Sequence, residues 1–225
     1  MASTLSDHPK KLIVDGVFVG QPADLGMFGR ERVQSAIVKH PVTSERVALR
    51  ATNLDGDGQA DLINHGGADK AVYLYPAEHY SDWAAEGYSL EPGQVGENVS
   101  LRGALESTVR IGDVWQWGEA LVQVSQPRQP CFKLGMRTGT KAIIADMVDS
   151  GRCGWYARVL QPGEVPVRGG MLLVERSSAP TVATMFAMLC QPGPVAAGEI
   201  HEALGVAALA ASWKDGLRKS LARRA

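Results

Sequence analysis

The chain has 225 residues, an apolar fraction of 45% and a formal charge of −1 from 23 Lys and Arg against 24 Asp and Glu. This length can bury a substantial core and suits one domain of moderate size with a small appendage. The near-neutral balance argues against nucleic acid as the main partner, and no apolar stretch approaches transmembrane length. We therefore expect a cytoplasmic protein without a membrane partner, in which any anion site is local.

Up to about residue 125 the sequence predicts short strands rich in valine, isoleucine and aromatic residues, separated by glycine, proline and asparagine. The predicted strands are 11–19, 33–42, 46–51, 71–75, 98–101, 109–117 and 120–125. One helix interrupts them, from Pro76 to just before Gly87. Many short strands with irregular links predict a mainly β fold, a closed or nearly closed β-barrel with a few helices.

The remainder of the chain is predicted to mix strands with helices. Residues 117–120 are typical of a hairpin turn, so the strand that follows should deliver the next loop to the rim of the barrel. A helix is predicted around 143–148, with strands at 155–160 and 171–175. Alanine-rich helical sequence then predicts a small three-helix domain, residues 177–225, with helices at 181–189, 197–204 and 206 to about 222. The polar N-terminus, 1–10, is predicted to be disordered.

The loop 126–131, Gln-Pro-Arg-Gln-Pro-Cys, is the strongest chemical signal. It places Cys131 between two nearby cations, Arg128 and Lys133, and positive charge near a thiol favours the reactive, metal-binding thiolate. Its two prolines stiffen the backbone, and the planar guanidinium of Arg128 matches phosphate or carboxylate. Cys131 is therefore a candidate nucleophile or metal ligand, although a lone cysteine is more often a small buried apolar residue.

The other two cysteines give no second thiol motif. Cys131, Cys153 and Cys190 are odd in number and far apart in sequence. This spacing argues against a disulfide framework, a Cys-x-x-Cys zinc or redox site, and a built-in iron–sulfur cluster.

A second stretch, 61–73, carries His65-Gly66-Gly67 followed by Lys70. Paired glycines allow close approach of the backbone to a ligand, and their amides can bind an anion, with His65 and Lys70 as flanking donors. A tight turn into the next strand is an equally good interpretation of the His-Gly-Gly sequence.

Two further polar segments have less specific patterns. The acidic run 55–61 fails the EF-hand pattern and is better described as a polar loop. Glu97 directly precedes the strand predicted at 98–101, and Asn98 is its first residue. Both side chains could point into a cleft at the same rim of the barrel, where Glu97 is a candidate general base. A turn role for Asn98 is an equally good interpretation.

Together these segments resemble the MOSC family, the domain related to the C-terminal part of molybdenum cofactor sulfurases, and specifically its YiiM-like branch. The matching pieces follow the family's order and approximate spacing; they are 61–73, 96–98, 112–113 and 126–131. The resemblance covers the barrel-like part, about 11–176, and the C-terminal helices are similar to the three-helix appendage of the YiiM-like branch.

The resemblance implies a β-barrel that binds the molybdenum cofactor, a pterin dithiolene that carries a phosphate. Cys131 matches the family's invariant cysteine and would be the thiolate ligand of molybdenum, which agrees with the preference of such metals for soft sulfur. The residues that it assigns to the phosphate and pterin edges are His65, Gly66, Gly67, Lys70, Asn98 and Arg128.

YiiM-like proteins are associated with reduction of N-hydroxylated compounds, including N-hydroxylated nucleobase analogues, to amines. The resemblance therefore implies a molybdenum-dependent reductase with Cys131 as its catalytic residue. Because the sequence shows no flavin or cluster motif, the electrons would come from a separate reductase, and the cofactor from the molybdenum cofactor biosynthesis or insertion machinery. Two alternatives stay open: a cofactor carrier or sulfur-transfer protein that acts through a Cys131 persulfide, and a metal-free thiol enzyme.

Overall fold

The computed structural model describes residues 9–61 and 66–223, and within these ranges it has twelve strands and six α-helices. The strands are β1 (Lys11–Val19), β2 (Ala23–Phe28), β3 (Glu31–Ser35), β4 (His40–Pro41), β5 (Arg46–Leu49), β6 (Val72–Pro76), β7 (Val99–Arg102), β8 (Val114–Trp117), β9 (Ala120–Pro127), β10 (Trp155–Gln161), β11 (Gly163–Pro166) and β12 (Gly169–Glu175). The helices are α1 (Glu78–Ala85), α2 (Phe132–Thr138), α3 (Ala142–Ser150), α4 (Val182–Cys190), α5 (Ala197–Gly205) and α6 (Ala211–Ala222), with a 3-10 turn at Ala68–Lys70. Most of the segment predicted to be disordered, residues 1–8, lies outside the described ranges.

Seven of the strands close into a barrel. Around it the order is β12, β8, β9, β10, β6, β7 and β1, and β1 pairs with β12 to complete the circle. In that closing pair Leu12 lies opposite Met171. The pairings around the barrel are antiparallel except for β6 with β7, where Leu74 lies opposite Val99 in parallel. The mainly β, closed-barrel fold predicted from the sequence is confirmed.

Alternating apolar side chains fill the barrel, because successive residues of a strand point to opposite faces. On β1, Leu12 and Val14 are buried, whereas Lys11 and Ile13 are exposed. Burial of one such aliphatic side chain stabilises the fold by roughly 2 kcal/mol. The largest side chains that the strands contribute to this core are three tryptophans: Trp115, Trp117 and Trp155.

Strand β6 is buried on both faces. Val72 and Leu74 belong to the core of the barrel, whereas Tyr73 and Tyr75 belong to a second apolar cluster outside it. Helices α1, α2 and α3 cover this outer face with four apolar side chains: Trp83, Leu134, Ile143 and Met147. The outer face of β6 therefore packs against the helices that directly follow the Cys131 loop.

Helices α4, α5 and α6 share the apolar core of the barrel, since Val182 and Leu217 belong to the same continuous cluster as the strands. Asp113 fixes the start of this helical segment: its carboxylate accepts hydrogen bonds from Arg176 Nη1 at 2.7 Å and from the Ser177 amide at 3.0 Å. The division into a barrel domain and a separate helical domain stays a prediction. No helix in the described ranges is long and apolar enough to cross a bilayer.

Two predicted strands are shorter in the structure. The strand predicted at 33–42 ends with β3, and residues 36–39 form a loop before the two-residue β4. In the strand predicted at 109–117, a turn at Gly112, whose φ is +91°, delays the start of β8. In both cases apolar residues in a loop or turn continue the apolar pattern of the neighbouring strand, so the sequence predicts a longer strand than the structure has.

Three elements were not predicted: β2, β11 and α2. Strand β2 lacks β-branched residues, and β11 is a four-residue segment that contains a glycine and a proline. Helix α2 contains Gly135, a poor helix former, and ends at Gly139 in the left-handed region. The last helix begins later than predicted, because residues 206–210 form a turn ahead of α6.

Substitution of Gly154, directly before β10, is expected to be more costly than substitution of Gly139. Both glycines have positive φ, +63° and +75°, but a Cβ at Gly154 would lie 2.5 Å from the Leu74 carbonyl oxygen, whereas at Gly139 nothing lies within 4 Å. Gly139→Ala should lower the free energy of unfolding by about 1 kcal/mol, and Gly154→Ala by a further 1–3 kcal/mol or so. Urea denaturation measures both, and equal losses would contradict the expectation.

Candidate functional site

Cys131 lies just beyond the end of β9 and opens helix α2. Its backbone is extended, with φ −137° and ψ 172°, and its carbonyl accepts the Leu134 amide at 3.0 Å. The loop is tied to the neighbouring strand, since the Arg128 amide donates to the Gly154 carbonyl at 3.2 Å. The half-buried thiol is therefore held by regular structure on both sides of a short loop.

A cavity opens beside Cys131, which we call the cationic cavity. Its walls come from the loop 36–39 after β3, from the segment 57–61, from the segment 95–98 ahead of β7, and from side chains of β6 and β10. The charged residues that line it are four cations and two carboxylates: Lys39, Lys70, Arg128, Lys133, Asp57 and Asp61. Despite the neutral balance of the whole chain, the cavity favours an anion locally.

Arg128 is the least exposed of these cations, with 5% of its surface accessible. Its Nη1 lies 3.3 Å from the Met147 sulfur, and its guanidinium lies 5.5 Å from the centre of the Tyr73 ring. Among the described residues, no carboxylate forms an ion pair with Arg128. Because buried charges in proteins are normally paired, this arginine is suited to an anionic ligand in the cavity.

Two lysines flank this arginine. The Lys133 ammonium lies 3.9 Å from an Asp61 oxygen. Burial lowers the pKa of Lys70 from its ordinary value, and the charges of Asp61 and Asp69 oppose that shift. Lys70, predicted from the sequence to donate hydrogen bonds to a bound anion, thus lines the same cavity as Arg128 and Cys131.

Asp57 lines the cavity and connects several of the residues around it, although no sequence pattern singles it out. Its carboxylate accepts hydrogen bonds from Lys39 Nζ at 2.5 Å, from the Gly20 amide at 2.7 Å and from Asn98 Nδ2 at 2.9 Å. The side chains of Asp57 and Lys39 are only 5% and 6% exposed. This buried, hydrogen-bonded pair fixes the position of the residues around it.

Asn98 lines the cavity, but its amide is committed to the protein. Its Nδ2 donates to Asp57 and to the Phe18 carbonyl at 3.2 Å, and its Oδ1 accepts the Tyr73 amide at 3.0 Å. Both donor hydrogens are therefore used within the described structure. The predicted contact of Asn98 with a cofactor stays a prediction.

The His-Gly-Gly segment is only partly visible. His65 lies outside the described residues. The Gly67 amide donates to Gln59 Oε1 at 2.9 Å, and Gly67 has a φ of +93° that suits glycine. Gly66 and Gly67 do not line the cationic cavity as described, so their predicted contacts with a ligand remain predictions.

Glu97, considered as a general base, is fully buried and does not line the cavity. One of its oxygens accepts the Gly93 amide at 2.6 Å and the Tyr80 hydroxyl. Burial raises the pKa of Glu97, and these hydrogen bonds oppose the shift. Its position supports a structural role behind the cavity wall rather than contact with a ligand.

Two phenols, neither predicted from the sequence, complete the cavity. The rings of Tyr73 and Tyr156 lie 5.2 Å apart, and both line the cavity. Burial raises the pKa of each phenol, so both stay protonated near neutral pH. Tyr156 places a hydroxyl in the cavity with Arg128 and Cys131 without adding negative charge. The Tyr73 hydroxyl donates to the Cys153 carbonyl at 2.9 Å, so Tyr73 contributes its ring to the cavity wall.

The residues that line the cationic cavity suit a cofactor that itself supplies most of the ligands of its metal. Within the described ranges no cluster of three or more His, Cys, Asp or Glu is arranged to hold a metal ion. Cys131 offers one soft sulfur ligand, and the cations beside it suit the phosphate of an anionic cofactor. The residues present thus fit a dithiolene-bound metal with a single protein thiolate.

Cys131 is expected to react with iodoacetamide before the other two cysteines. Burial raises the pKa of Cys153 well above its ordinary value and that of Cys190 to about 12, so both remain thiols at about pH 8, where the thiolate is the nucleophile. Cys131 is half-buried at an open cavity. Peptide mass spectrometry after brief labelling measures the order, and early labelling of Cys153 or Cys190 would contradict it.

Comparison with known proteins gives consistent matches. The MOSC domain family model matches residues 61–171. Protein YiiM of Escherichia coli is 39% identical over 189 residues, covering 82% of this chain and 84% of that protein. A longer protein of Gibberella moniliformis, named Reductase, is 37% identical over 157 residues, covering 67% of this chain and 27% of the fungal protein. The crystal structure of YiiM from Geobacillus stearothermophilus has a TM-score of 0.78 and 32% identity, covering 93% of this chain and 99% of that one.

These matches extend beyond the cavity. The family model spans the segment from Asp61 to Met171 and includes Cys131, and the YiiM relatives cover the barrel together with most of the rest of the chain. MOSC domains are in general associated with binding of the molybdenum cofactor. The chain belongs to the MOSC domain family, in its YiiM-like branch.

Proposed function

We propose that this protein binds the molybdenum cofactor and reduces N-hydroxylated compounds, such as N-hydroxylated nucleobase analogues, to amines. The observation that carries the proposal is the placement of Arg128 beside Cys131: a buried guanidinium lines the same cavity as the thiol, and no described carboxylate pairs with it. An anionic cofactor supplies the missing counter-charge, and the thiol supplies the metal ligand.

Each residue near the thiol has a defined task in this proposal. Cys131 Sγ is the protein ligand of molybdenum. The cofactor phosphate is held by three cations: Arg128, Lys70 and Lys133. Both the planar guanidinium of arginine and the compact ammonium of lysine bind phosphate. The predicted contacts of His65, Gly66 and Gly67 belong to the same proposal. When bound, the cofactor supplies the two-electron removal of oxygen from an N-hydroxyl group; the protein supplies binding and orientation.

The reaction also needs protons. Reduction of an N-hydroxylamine to an amine and water consumes two electrons and two protons. Tyr156 lines the cavity together with Cys131. We assign hydrogen-bond donation to the substrate oxygen to Tyr156, and the two protons come from solvent water.

Partners follow from the electron balance. The sequence carries no flavin or iron–sulfur cluster motif. A separate electron-donating reductase therefore completes the proposal, together with the machinery that makes or inserts the cofactor. The fungal relative named Reductase, which shares the matched region, supports a redox role for this type of domain.

The test is a turnover assay on protein from a host that makes the cofactor. With an N-hydroxylated purine and a chemically reduced dye as electron donor, we expect steady dye oxidation and one amine formed per two electrons. If the protein carries the cofactor and shows no turnover under these conditions, and mass spectrometry finds a Cys131 persulfide, the carrier or sulfur-transfer function replaces the reductase.

A further inference from the structure

A second cavity, of about 390 Å³, lies where the C-terminal helices meet the barrel; we call it the helix-side cavity. Its barrel wall comes from the end of β9 and the loop that follows, and its other wall from α4 and α6. It shares three lining residues with the cationic cavity: Lys70, Cys131 and Tyr156. Cys131 therefore stands where the two cavities meet.

The helix-side cavity is held together by direct contacts between α6 and β9. Ser212 Oγ donates to Gln126 Oε1 at 3.1 Å, and the Ala210 amide donates to the Ser125 carbonyl at 3.0 Å. Gln126 is only 3% exposed. Its carboxamide is thus oriented by the helix, although it belongs to a barrel strand.

The wall of α6 approaches α4 closely at one glycine. A Cβ at Gly216 would lie 2.8 Å from Leu189 Cδ2, so glycine permits this contact. Leu189, Trp213 and Pro130 give the cavity apolar surface, and the indole of Trp213 is planar. Gln126 and Gln129 add carboxamides to the lining, of which that of Gln126 already accepts the Ser212 hydroxyl. A planar ring with donors and acceptors on its edge matches this combination of surfaces.

Charge separates the two cavities. The cationic cavity carries four cations, whereas Lys70 is the one charged side chain among the described residues that line the helix-side cavity. A phosphate-bearing cofactor should bind in the cationic cavity, where its charge is compensated. The helix-side cavity offers a ligand no charged side chain besides Lys70 among its described lining residues. Its volume lies within the range usual for small-molecule sites.

We infer that the helix-side cavity receives the ring of the substrate, a neutral heteroaromatic N-hydroxylamine whose N-hydroxyl group points toward Cys131. The inference rests on the proposed function and gives the C-terminal helices a role in it: α6 sets which substrates fit, through Ser212, Gln126 and Trp213. A free base is accepted in this cavity. The corresponding phosphorylated nucleotide is disfavoured, because Lys70 is the single cation among the described lining residues.

The test uses one cavity-filling variant and a matched control. Ser212→Phe places a ring in the helix-side cavity, and Ala211→Phe places the same ring at the adjacent exposed position, which does not line the cavity. In calorimetric titration of the cofactor-free protein with an N-hydroxylated purine base, Ser212→Phe should weaken binding at least about tenfold, whereas Ala211→Phe should bind like the natural protein. Equal affinity of both variants would overturn the inference.

Turnover with two substrates separates this inference from the proposed function. With loaded protein, Ser212→Phe should raise KM for the purine at least about tenfold more than it raises KM for N-methylhydroxylamine, and its molybdenum content should equal that of the natural protein. The phosphorylated nucleotide should be a poorer substrate than the free base. Equal effects on both substrates, or loss of molybdenum from Ser212→Phe, would overturn the inference but leave the reductase proposal standing. Absence of turnover of either substrate by the natural protein counts against the reductase itself.

Discussion

Replacement of Cys131 by serine is expected to remove molybdenum from the purified protein and to abolish reduction of N-hydroxylated substrates. Serine keeps the size and position of the side chain but offers a hard oxygen in place of a soft sulfur ligand. Because loss of a residue that merely hydrogen-bonds to a metal ligand typically costs 10–100-fold, loss of the ligand itself should reduce activity at least about a hundredfold. Elemental analysis and a turnover assay on the same preparation measure both effects.

Cys190→Ser is the matched control. Cys190 is half-buried on α4 and lines neither cavity, so this variant should keep its molybdenum and its turnover. Circular dichroism should show that both variants are folded. A Cys131→Ser protein with full molybdenum content and full activity would contradict the assignment of Cys131 as the metal ligand.

Asp57→Ala is expected to cause a large loss of stability. It removes the counter-charge of Lys39, whose side chain is 6% exposed, and it leaves the Gly20 amide and one donor of Asn98 without their acceptor. Breaking a buried ion pair by removal of one partner typically costs 3–5 kcal/mol or so in the free energy of unfolding. Urea denaturation of the variant and the natural protein measures the difference.

Two further variants separate charge from hydrogen bonding at this position. Asp57→Asn keeps an acceptor oxygen but leaves the Lys39 charge unpaired, and the double variant Lys39→Met, Asp57→Asn removes both charges. We expect the double variant to be more stable than Asp57→Asn alone. If the free energy of unfolding of Asp57→Ala lies within about 1 kcal/mol of that of the natural protein, the Asp57–Lys39 pair does not have the structural role described above.

Local patterns in the sequence were sufficient to predict most barrel strands. The bounds of β1 agree with the predicted 11–19, and the turn at 117–120 joins β8 and β9 as expected. The closing pair, with Leu12 opposite Met171, joins residues far apart in the chain, so no local pattern specifies it. Helix α2 was missed because Gly135 weakens the helical pattern, and tertiary packing stabilises it instead.

The site was predictable where charge and backbone stiffness coincide in one short segment. Arg128 and Cys131 met this condition, and both line the cationic cavity. Asp57 did not: it lies between two glycines and is typical of a turn, and its partners Lys39 and Asn98 are remote in sequence. Sequence patterns carry no information on such long-range hydrogen bonds, which only the closed barrel brings together.

The most direct test of the central claim is the molybdenum content of the natural protein, purified from a host that makes the cofactor and contains a molybdenum enzyme as internal reference. Elemental analysis should find about one molybdenum atom per chain, because Cys131 offers a single ligand position. If the reference enzyme contains molybdenum and this protein contains none, the claim that the cationic cavity, with Cys131 at its edge, holds the cofactor is contradicted.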